Sequence, residues 1–294
     1  MKNKFLLISI CFLWFLPGVA SAHQPRIVSG NPINVSSPET SQAFYGELKG
    51  IPHEFIIRSD KEFRLYLGVL VPDIPMIRKD ISVSVDRLSG ATRERLALLN
   101  GENFNWTPFF ETFAKDNYFW GPEFKDDNSQ QGVALQGKLV PAGTYSITVF
   151  NSSEQGKYSL AVGDLETFPP IEIINAILVV PQLKANFFHY SLLVLLSSPY
   201  VIGYILLILA IAFVLGLLLR LLLVRFVKPK KSKGKNMNRK DRMIRLVAGI
   251  IILALAFIFG LNPYLLFLSG LCFFAAASGW CGLYAILGKS SCSI

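Results

Sequence analysis

Apolar and polar positions alternate along much of the chain between residues 41 and 168. Phe63, Leu65, Leu67, Val69 and Val71 alternate with Arg64, Tyr66, Gly68 and Leu70, the two-residue period of a half-buried strand. Ile81, Val83 and Val85 alternate with Ser82 and Ser84, and Tyr145, Ile147, Val149 and then Tyr158, Leu160, Val162 repeat the pattern. Pro141-Ala142-Gly143 has the turn chemistry to start the third run. The polar segment 151–156 is expected to join the last two runs as a hairpin. Short alternating strands between turn residues, with no long amphipathic helix among them, predict an all-β antiparallel sandwich over 41–168. The Pro/Ser/Asn-rich residues 23–40 predict an extended lead-in.

Beyond Pro169 the pattern changes. Ile171, Ile174, Ala176, Ile177 and Leu178 in the connector 169–198 predict a short amphipathic helix at a membrane interface. Residues 190–219 carry no charge, and 199–223 is long enough to cross a hydrocarbon layer of about 30 Å. Residues 244–261 and 264–287 are two further apolar runs joined by Asn262-Pro263, a tight turn, which predicts a helical hairpin. Ala256 and Gly260, Ala275 and Gly279, and Ser278 and Gly282 are four apart, a spacing that lets membrane helices approach closely. The fold class expected is therefore a multi-domain membrane protein, a β-sandwich followed by α-helical transmembrane segments.

Charge sets the expected orientation. The formal net charge of +9 is local in origin. Residues 220–245 hold eleven Lys and Arg against the single acid Asp241, whereas residues 23–199 hold fifteen Lys and Arg against nineteen Asp and Glu. Lys and Arg beside apolar spans stay cytoplasmic, so 224–243 is expected inside, the sandwich outside, and the tail 288–294 inside. The N-terminus fits: Lys2 and Lys4, an apolar stretch to Leu16, and Ala20-Ser21-Ala22 form a signal peptide over 1–22, with an uncleaved anchor as the alternative. Basic charge beside lipid argues for anionic headgroups and against nucleic acid. Arg239, Arg242 and Arg245, on one helical face, are the candidate headgroup ligands.

Candidate chemistry is sparse. Residues 103–124 are dense in rings. Pro108, Gly121 and Pro122 predict a long loop there whose aromatics complete the core, or one that presents Trp106, Phe109, Phe110, Tyr118 and Trp120 to a ligand or partner protein. Asp116, Glu123, Asp126 and Asp127 match no calcium-loop spacing. The three His residues, His23, His53 and His189, stand beside no Ser or Cys partner in sequence, so no catalytic residue, metal site or cofactor is assigned. A mature N-terminal His23, with His53, offers nitrogens that suit copper but lacks a third partner. Cys281 and Cys292 are the one candidate redox or sulfur-carrying pair, with Lys289 the nearest cation. Cys272 is expected to pack within the membrane.

Two segments resemble known families. Asn238-Arg239-Lys240-Asp241-Arg242-Met243-Ile244-Arg245-Leu246-Val247-Ala248-Gly249 opens the helical hairpin, and Gly279-Trp280-Cys281-Gly282-Leu283-Tyr284-Ala285-Ile286-Leu287-Gly288, followed by Cys292, closes it. Together, over 236–292, they resemble the YgaP-like transmembrane domain of bacterial inner-membrane proteins. The resemblance implies a two-helix hairpin, often a homodimer, with both ends cytoplasmic, and hence residues 23–198 in the periplasm. Some members carry a rhodanese domain. The residues ahead of the hairpin here are β-patterned instead, so sulfurtransferase activity does not carry over. The family's Pro after the first Cys is Gly282 in this chain. Asn238 suits the helix N-cap, and Asp241 suits the positive end of the helix dipole and a pair with Arg245. Pro141-Ala142-Gly143-Thr144-Tyr145 through Gly156-Lys157-Tyr158-Ser159-Leu160 resembles the end of the small jelly-roll sandwiches called bacterial pre-peptidase C-terminal domains, which implies a jelly-roll-like, non-catalytic domain that binds surfaces or partners. The expected whole is a membrane-anchored binding module, with a protein partner in membrane or periplasm. A redox or sulfur relay through Cys281 and Cys292 is the alternative.

Overall fold

A computed structural model describes residues 23–112, 114–127, 135–167, 169–226 and 235–291. The expected signal peptide, part of the basic segment and Cys292 lie outside the described residues. The chain divides into two compact units, Met1–Ile173 and Ile174–Ile294.

The first unit is built on two sheets. One has the order β1 (Gln24–Ile27), β3 (Gln42–Lys49), β13 (Gln155–Val162), β6 (Leu67–Pro72), β10 (Asp116–Phe124), β9 (Thr107–Glu111). The other runs β2 (Ile33–Val35), β4 (His53–Ser59), β12 (Gly143–Phe150), β7 (Ser82–Ser89), β8 (Thr92–Leu99). A small ladder pairs β5 (Phe63–Leu65) with β11 (Lys138–Val140). One apolar core joins Phe44, Leu48, Val69 and Leu160 of the first sheet to Phe55, Ile57, Val85 and Ile147 of the second. Phe44 and Phe55 meet edge to face across it, ring centroids 5.3 Å apart. The sandwich expected from period-two alternation is thus present, because the central strands turn their apolar sides to the facing sheet.

Four details differ from expectation. Residues 151–156 do not close a hairpin: β12 pairs with β4 and β7, and β13 with β3 and β6, so this turn crosses from one sheet to the other. Tyr145, Ile147 and Val149 then face Tyr158, Leu160 and Val162 through the core, all 0% exposed. Asn151 organises the crossing. Its Nδ2 donates to the Gln155 carbonyl (2.7 Å) and to Asp80 (2.9 Å), and its Oδ1 accepts from the Gln155 amide (3.1 Å). Next, the lead-in is part of the fold: β1 pairs in parallel with β3, and β2 with β4, one edge strand for each sheet. The alternating run 63–71 is also split at Tyr66, whose carbonyl accepts the Gly163 amide at 3.0 Å and whose hydroxyl donates to Glu123 at 2.5 Å. The fourth difference, in the aromatic stretch, is taken up with the site. The turn at Pro141 is as expected, and the Tyr145 hydroxyl locks it by donating to the Pro141 carbonyl at 2.6 Å. Tyr145→Phe is expected to destabilise the β unit by about 1 kcal/mol, read as a lower midpoint in thermal melts followed by circular dichroism.

The second unit is helical. It begins within helix α1 (Pro170–Gln182), which exposes Ile171, Ile174 and Leu178 and buries Ala176 and Val180. A π-helical turn (Leu183–Phe187), α2 (Leu192–Ser197) and α3 (Pro199–Phe226) follow. Within α3, Pro199–Leu223 is long and apolar enough to cross a membrane. Then come α4 (Arg239–Ile258), α5 (Pro263–Ser278) and α6 (Gly282–Ile286). Asn262 caps α5 by accepting the Tyr264 and Leu265 amides, with Pro263 at the first helical position, which explains the tight turn.

The run 264–287, expected as one helix, is two. Gly279 adopts the left-handed conformation (φ +68°) and ends α5, its amide donating to the Ala275 carbonyl, a conformation that costs glycine little. The small residues also act differently from their spacing. Gly260 and Gly279 end helices, Gly260 against the Asn186 side chain, and close approaches between helices fall at Gly216, Gly249 and Gly270. A Cβ on Gly270 would lie 2.6 Å from the Ala212 methyl of α3, and one on Gly249 would lie 2.6 Å from the Phe273 ring. Ser269, 0% exposed, donates to the Gly249 carbonyl at 2.9 Å. Helix α5 therefore packs tightly against both α3 and α4.

Candidate functional site

The aromatic stretch, expected as a loop, is a β-hairpin. Strands β9 and β10 pair from Thr107↔Trp120 to Asp116↔Glu111. Pro122 is accommodated because the register of β10 against β6 shifts between Trp120 and Glu123. A bulge is where a strand tolerates a residue without an amide proton. Gly121 in that bulge lies under the Trp106 ring: a Cβ there would meet the ring at 2.4 Å and the Val69 carbonyl at 2.8 Å. Trp106 is fixed further by Nε1 donating to the Gly101 carbonyl at 2.8 Å.

The five candidate rings do not share one environment. Trp106 packs half-buried against the core. Tyr118 is buried, its hydroxyl 3.1 Å from that of Tyr45. Burial pushes both phenols well above their ordinary pKa, so the pair is a neutral hydrogen bond. Phe109 and Trp120 make an edge-to-face pair at 4.9 Å, with Phe109 36% exposed. Phe110, 52% exposed, alternates to the other face of the hairpin. Phe104, 40% exposed, adds a ring that packs edge-on to Trp106 at 6.2 Å. Lys79 places its ammonium 3.4 Å from the Phe119 ring centroid, a cation–π contact that composition and spacing did not reveal. The result is a ring-rich edge held on paired strands. Glu123, one of the nearby acids, is occupied by the Tyr66 hydroxyl and by Lys125 Nζ at 2.7 Å.

The histidines are held apart by different partners. His23 Nδ1 meets the Ser41 hydroxyl, and His53 Nδ1 lies 2.7 Å from the Tyr158 hydroxyl. Ser41 is 1% exposed, so the Ser41–His23 pair is closed to a substrate carbonyl. Among the described residues no three His, Cys, Asp or Glu side chains gather as a metal site. Burial lowers the pKa of His23, against the opposing pull of Glu166 and Asp164, and burial lowers that of His53. The unfolded chain then takes up protons more readily than the folded one as pH falls below about 6.5, so stability is present above that value and lost below it. The melting midpoint of the β unit is expected to be lower at pH 5 than at pH 7.5, and His53→Gln should flatten part of that slope. An unchanged midpoint would contradict the assignment.

A third cluster lies at the ends of the α4–α5 hairpin. Asn238 caps α4, its Oδ1 accepting the Asp241 amide at 2.8 Å, as the motif implied. Asp241 then accepts from the Tyr284 hydroxyl at 3.3 Å. Arg242, a candidate headgroup ligand, instead donates to the α5 carbonyls of Ala276 (2.7 Å) and Ala277 (3.2 Å), where a cation complements the helix dipole. Arg239 is exposed and Arg245 half-buried. Asn236, which spacing did not single out, clasps the cysteine segment: its Nδ2 donates to the Cys281 carbonyl at 2.8 Å and its Oδ1 accepts the Cys281 amide at 2.7 Å. The Asn236 carbonyl also accepts the Ser291 amide at 3.1 Å, and Asn238 bonds both the hydroxyl and the carbonyl of Ser291. Cys281 is 7% exposed, packed with Met237, Ala275 and Tyr284, and Cys272 is buried.

Solved structures similar to this chain include the pre-peptidase C-terminal domain of a collagenase from Bacillus anthracis, at 8% identity and a TM-score of 0.24, covering 49% of this chain and 97% of that one. Another is CorA, a surface-associated copper-binding protein of Methylomicrobium album BG8, at 14% identity and a TM-score of 0.16, covering 50% of this chain and 87% of that one. At these scores the strand order described above stands on its own. No curated protein matches the chain. Residues 233–294, which hold the α4–α5 hairpin and the asparagine clasp, match the family described as inner membrane protein YgaP-like, transmembrane domain.

Proposed function

We propose that the chain is a membrane-anchored binding module. Its β-sandwich lies in the periplasm and holds a protein partner on the β9–β10 edge, while α3 and the α4–α5 hairpin anchor it. The basic segment stays cytoplasmic and its cations, exposed Arg239 among them, meet anionic headgroups. The observation that carries this reading is the exposure of Phe109 and Phe110, 36% and 52%, on an edge hairpin backed by Trp106 and Gly121, with Phe104, 40% exposed, packed edge-on to Trp106 beside it. Aromatic side chains on a fixed backbone lose little entropy on binding and dominate interface energies. A photo-crosslinking residue placed at Phe110 of the full chain in membranes should yield a specific adduct, and one placed at exposed Glu94 on β8 should not. Identical patterns at the two positions, or none at either, would overturn the reading.

A second reading is favoured by Asn236. It hydrogen-bonds the backbones of both Cys281 and Ser291, and Ser291 precedes Cys292 in sequence. That supports a thiol pair that a disulfide-bearing partner oxidises by thiol–disulfide exchange, taking up the two electrons and two protons, and that a dithiol reductant reopens. Mass spectrometry under non-reducing conditions should then find peptides linked through Cys281 and Cys292, and their absence after mild oxidation would remove this reading.

A further inference from the structure

We infer that α2 lies within the membrane, its exposed leucines among the lipid acyl chains of the leaflet in which α3 begins. The inference rests on α3 spanning the bilayer. Helix α2 turns Leu192, Leu193, Val194 and Leu196 outward, 45–80% exposed, and buries Leu195. No charged residue occurs from Ser191 to Ser198.

Three observations set its depth and its occupant. First, Leu195 joins Val201, Tyr204, Leu261 and Leu266 in one buried cluster, with Ala185 and Tyr190 packed against it. Second, the hairpin turn between α4 and α5 meets α3 near its start, where the Tyr204 hydroxyl donates to the Leu261 carbonyl at 3.2 Å and Val201 shares the buried cluster with Leu261. The segment before α3 packs at the same turn, with Asn186 set against Gly260. Third, backbone hydrogen bonds continue through the break between the two helices. The Leu195 amide donates to Ser191, the Ser198 amide to Leu195 and the Ile202 amide to Ser198, at 3.0–3.1 Å. The Ser197 hydroxyl donates to the Val194 carbonyl at 2.8 Å. Each such bond lowers the cost of holding a helix break at membrane depth, where an unsatisfied polar group is expensive. The outward face of α2 is also continuous with the apolar exterior of α3, where Ile202, Leu206 and Ile211 are 41–59% exposed. Lipid that covers one therefore covers the other.

The test uses the full chain in phosphatidylcholine vesicles. Leu193→Trp and, as a control within α3, Ile211→Trp are each measured as the fluorescence gained over wild type. Lipids brominated near the headgroup end or deep in the acyl chain serve as quenchers, with iodide in the water. The Leu193→Trp signal should fall at least two-fold more with shallow bromines than with deep ones and be insensitive to iodide, and Ile211→Trp should show the opposite depth preference. If iodide quenches Leu193→Trp while deep bromines still quench Ile211→Trp, α2 is in water and the inference fails with the span intact. If neither position responds to brominated lipid, the span itself is wrong and the inference falls with it.

Discussion

Gly121→Val should lower the stability of the β unit by about 3 kcal/mol, the upper part of the range for overpacking a filled site. For a unit of this size that is a fall of about 10 °C in melting midpoint. The first added carbon would stand 2.4 Å from the Trp106 ring on one side and 2.8 Å from the Val69 carbonyl on the other. The ring can swing only by giving up its bond to the Gly101 carbonyl, and the carbonyl belongs to β6, at the middle of the first sheet. The effect should be coupled to its cause. Trp106→Ala in the Gly121→Ala background should cost less than the sum of the two single changes, because the clash is removed with the ring. Additive losses, measured by chemical denaturation, would show that Trp106 is not what forbids a side chain at this position. Since Gly121 sits in the bulge between Trp120 and Glu123, the same substitution should also disturb the aromatic edge and weaken crosslinking at Phe110.

In the helical unit the comparable change is Gly270→Leu, with an expected loss of about 2–3 kcal/mol in the association of α5 with α3. A Cβ at Gly270 would stand 2.6 Å from the Ala212 methyl and 3.2 Å from Leu209, and a full leucine can be housed only by parting the helices. The milder Gly270→Ala allows a stricter check. Ala212→Gly removes the facing methyl and should recover much of the loss, whereas Ala212→Gly alone should cost little. Unfolding in mixed detergent micelles measures both. Failure of the second glycine to rescue the first alanine would mean that this approach is not the tight point between the helices.

The fold was legible where apolar spacing alone decides it. The core strands followed from alternation at residues 63–71, 81–85, 145–149 and 158–162, and the helical hairpin followed from two apolar runs about Asn262-Pro263. What the pattern could not show was pairing. A six-residue polar turn after Val149 suits a hairpin as well as a crossing between sheets, and only the partners of β12 and β13 distinguish them. Pro122 argued against a strand because spacing does not reveal a bulge. Gly279 read as a packing residue because its left-handed backbone is a consequence of where α5 ends. Of the candidate site, ring density drew attention to the stretch but could not show exposure: Tyr118 is buried against Tyr45, while Phe104 is exposed. Arg242 was grouped with its neighbours by helical face, yet it serves the carbonyl end of α5. Asn236, an unremarkable polar residue in sequence, holds Cys281 in place.

The central claim, that the β-sandwich and the basic segment face opposite sides of one membrane, is tested most directly by side-specific labelling. Asp60 and Lys240 are both exposed, and Asp60→Cys and Lys240→Cys can be treated with a membrane-impermeant maleimide alongside wild type. In sealed right-side-out vesicles Asp60→Cys should label at once, and Lys240→Cys only after the membrane is permeabilised. Equal labelling of the two before permeabilisation, or the reverse order, would contradict the account.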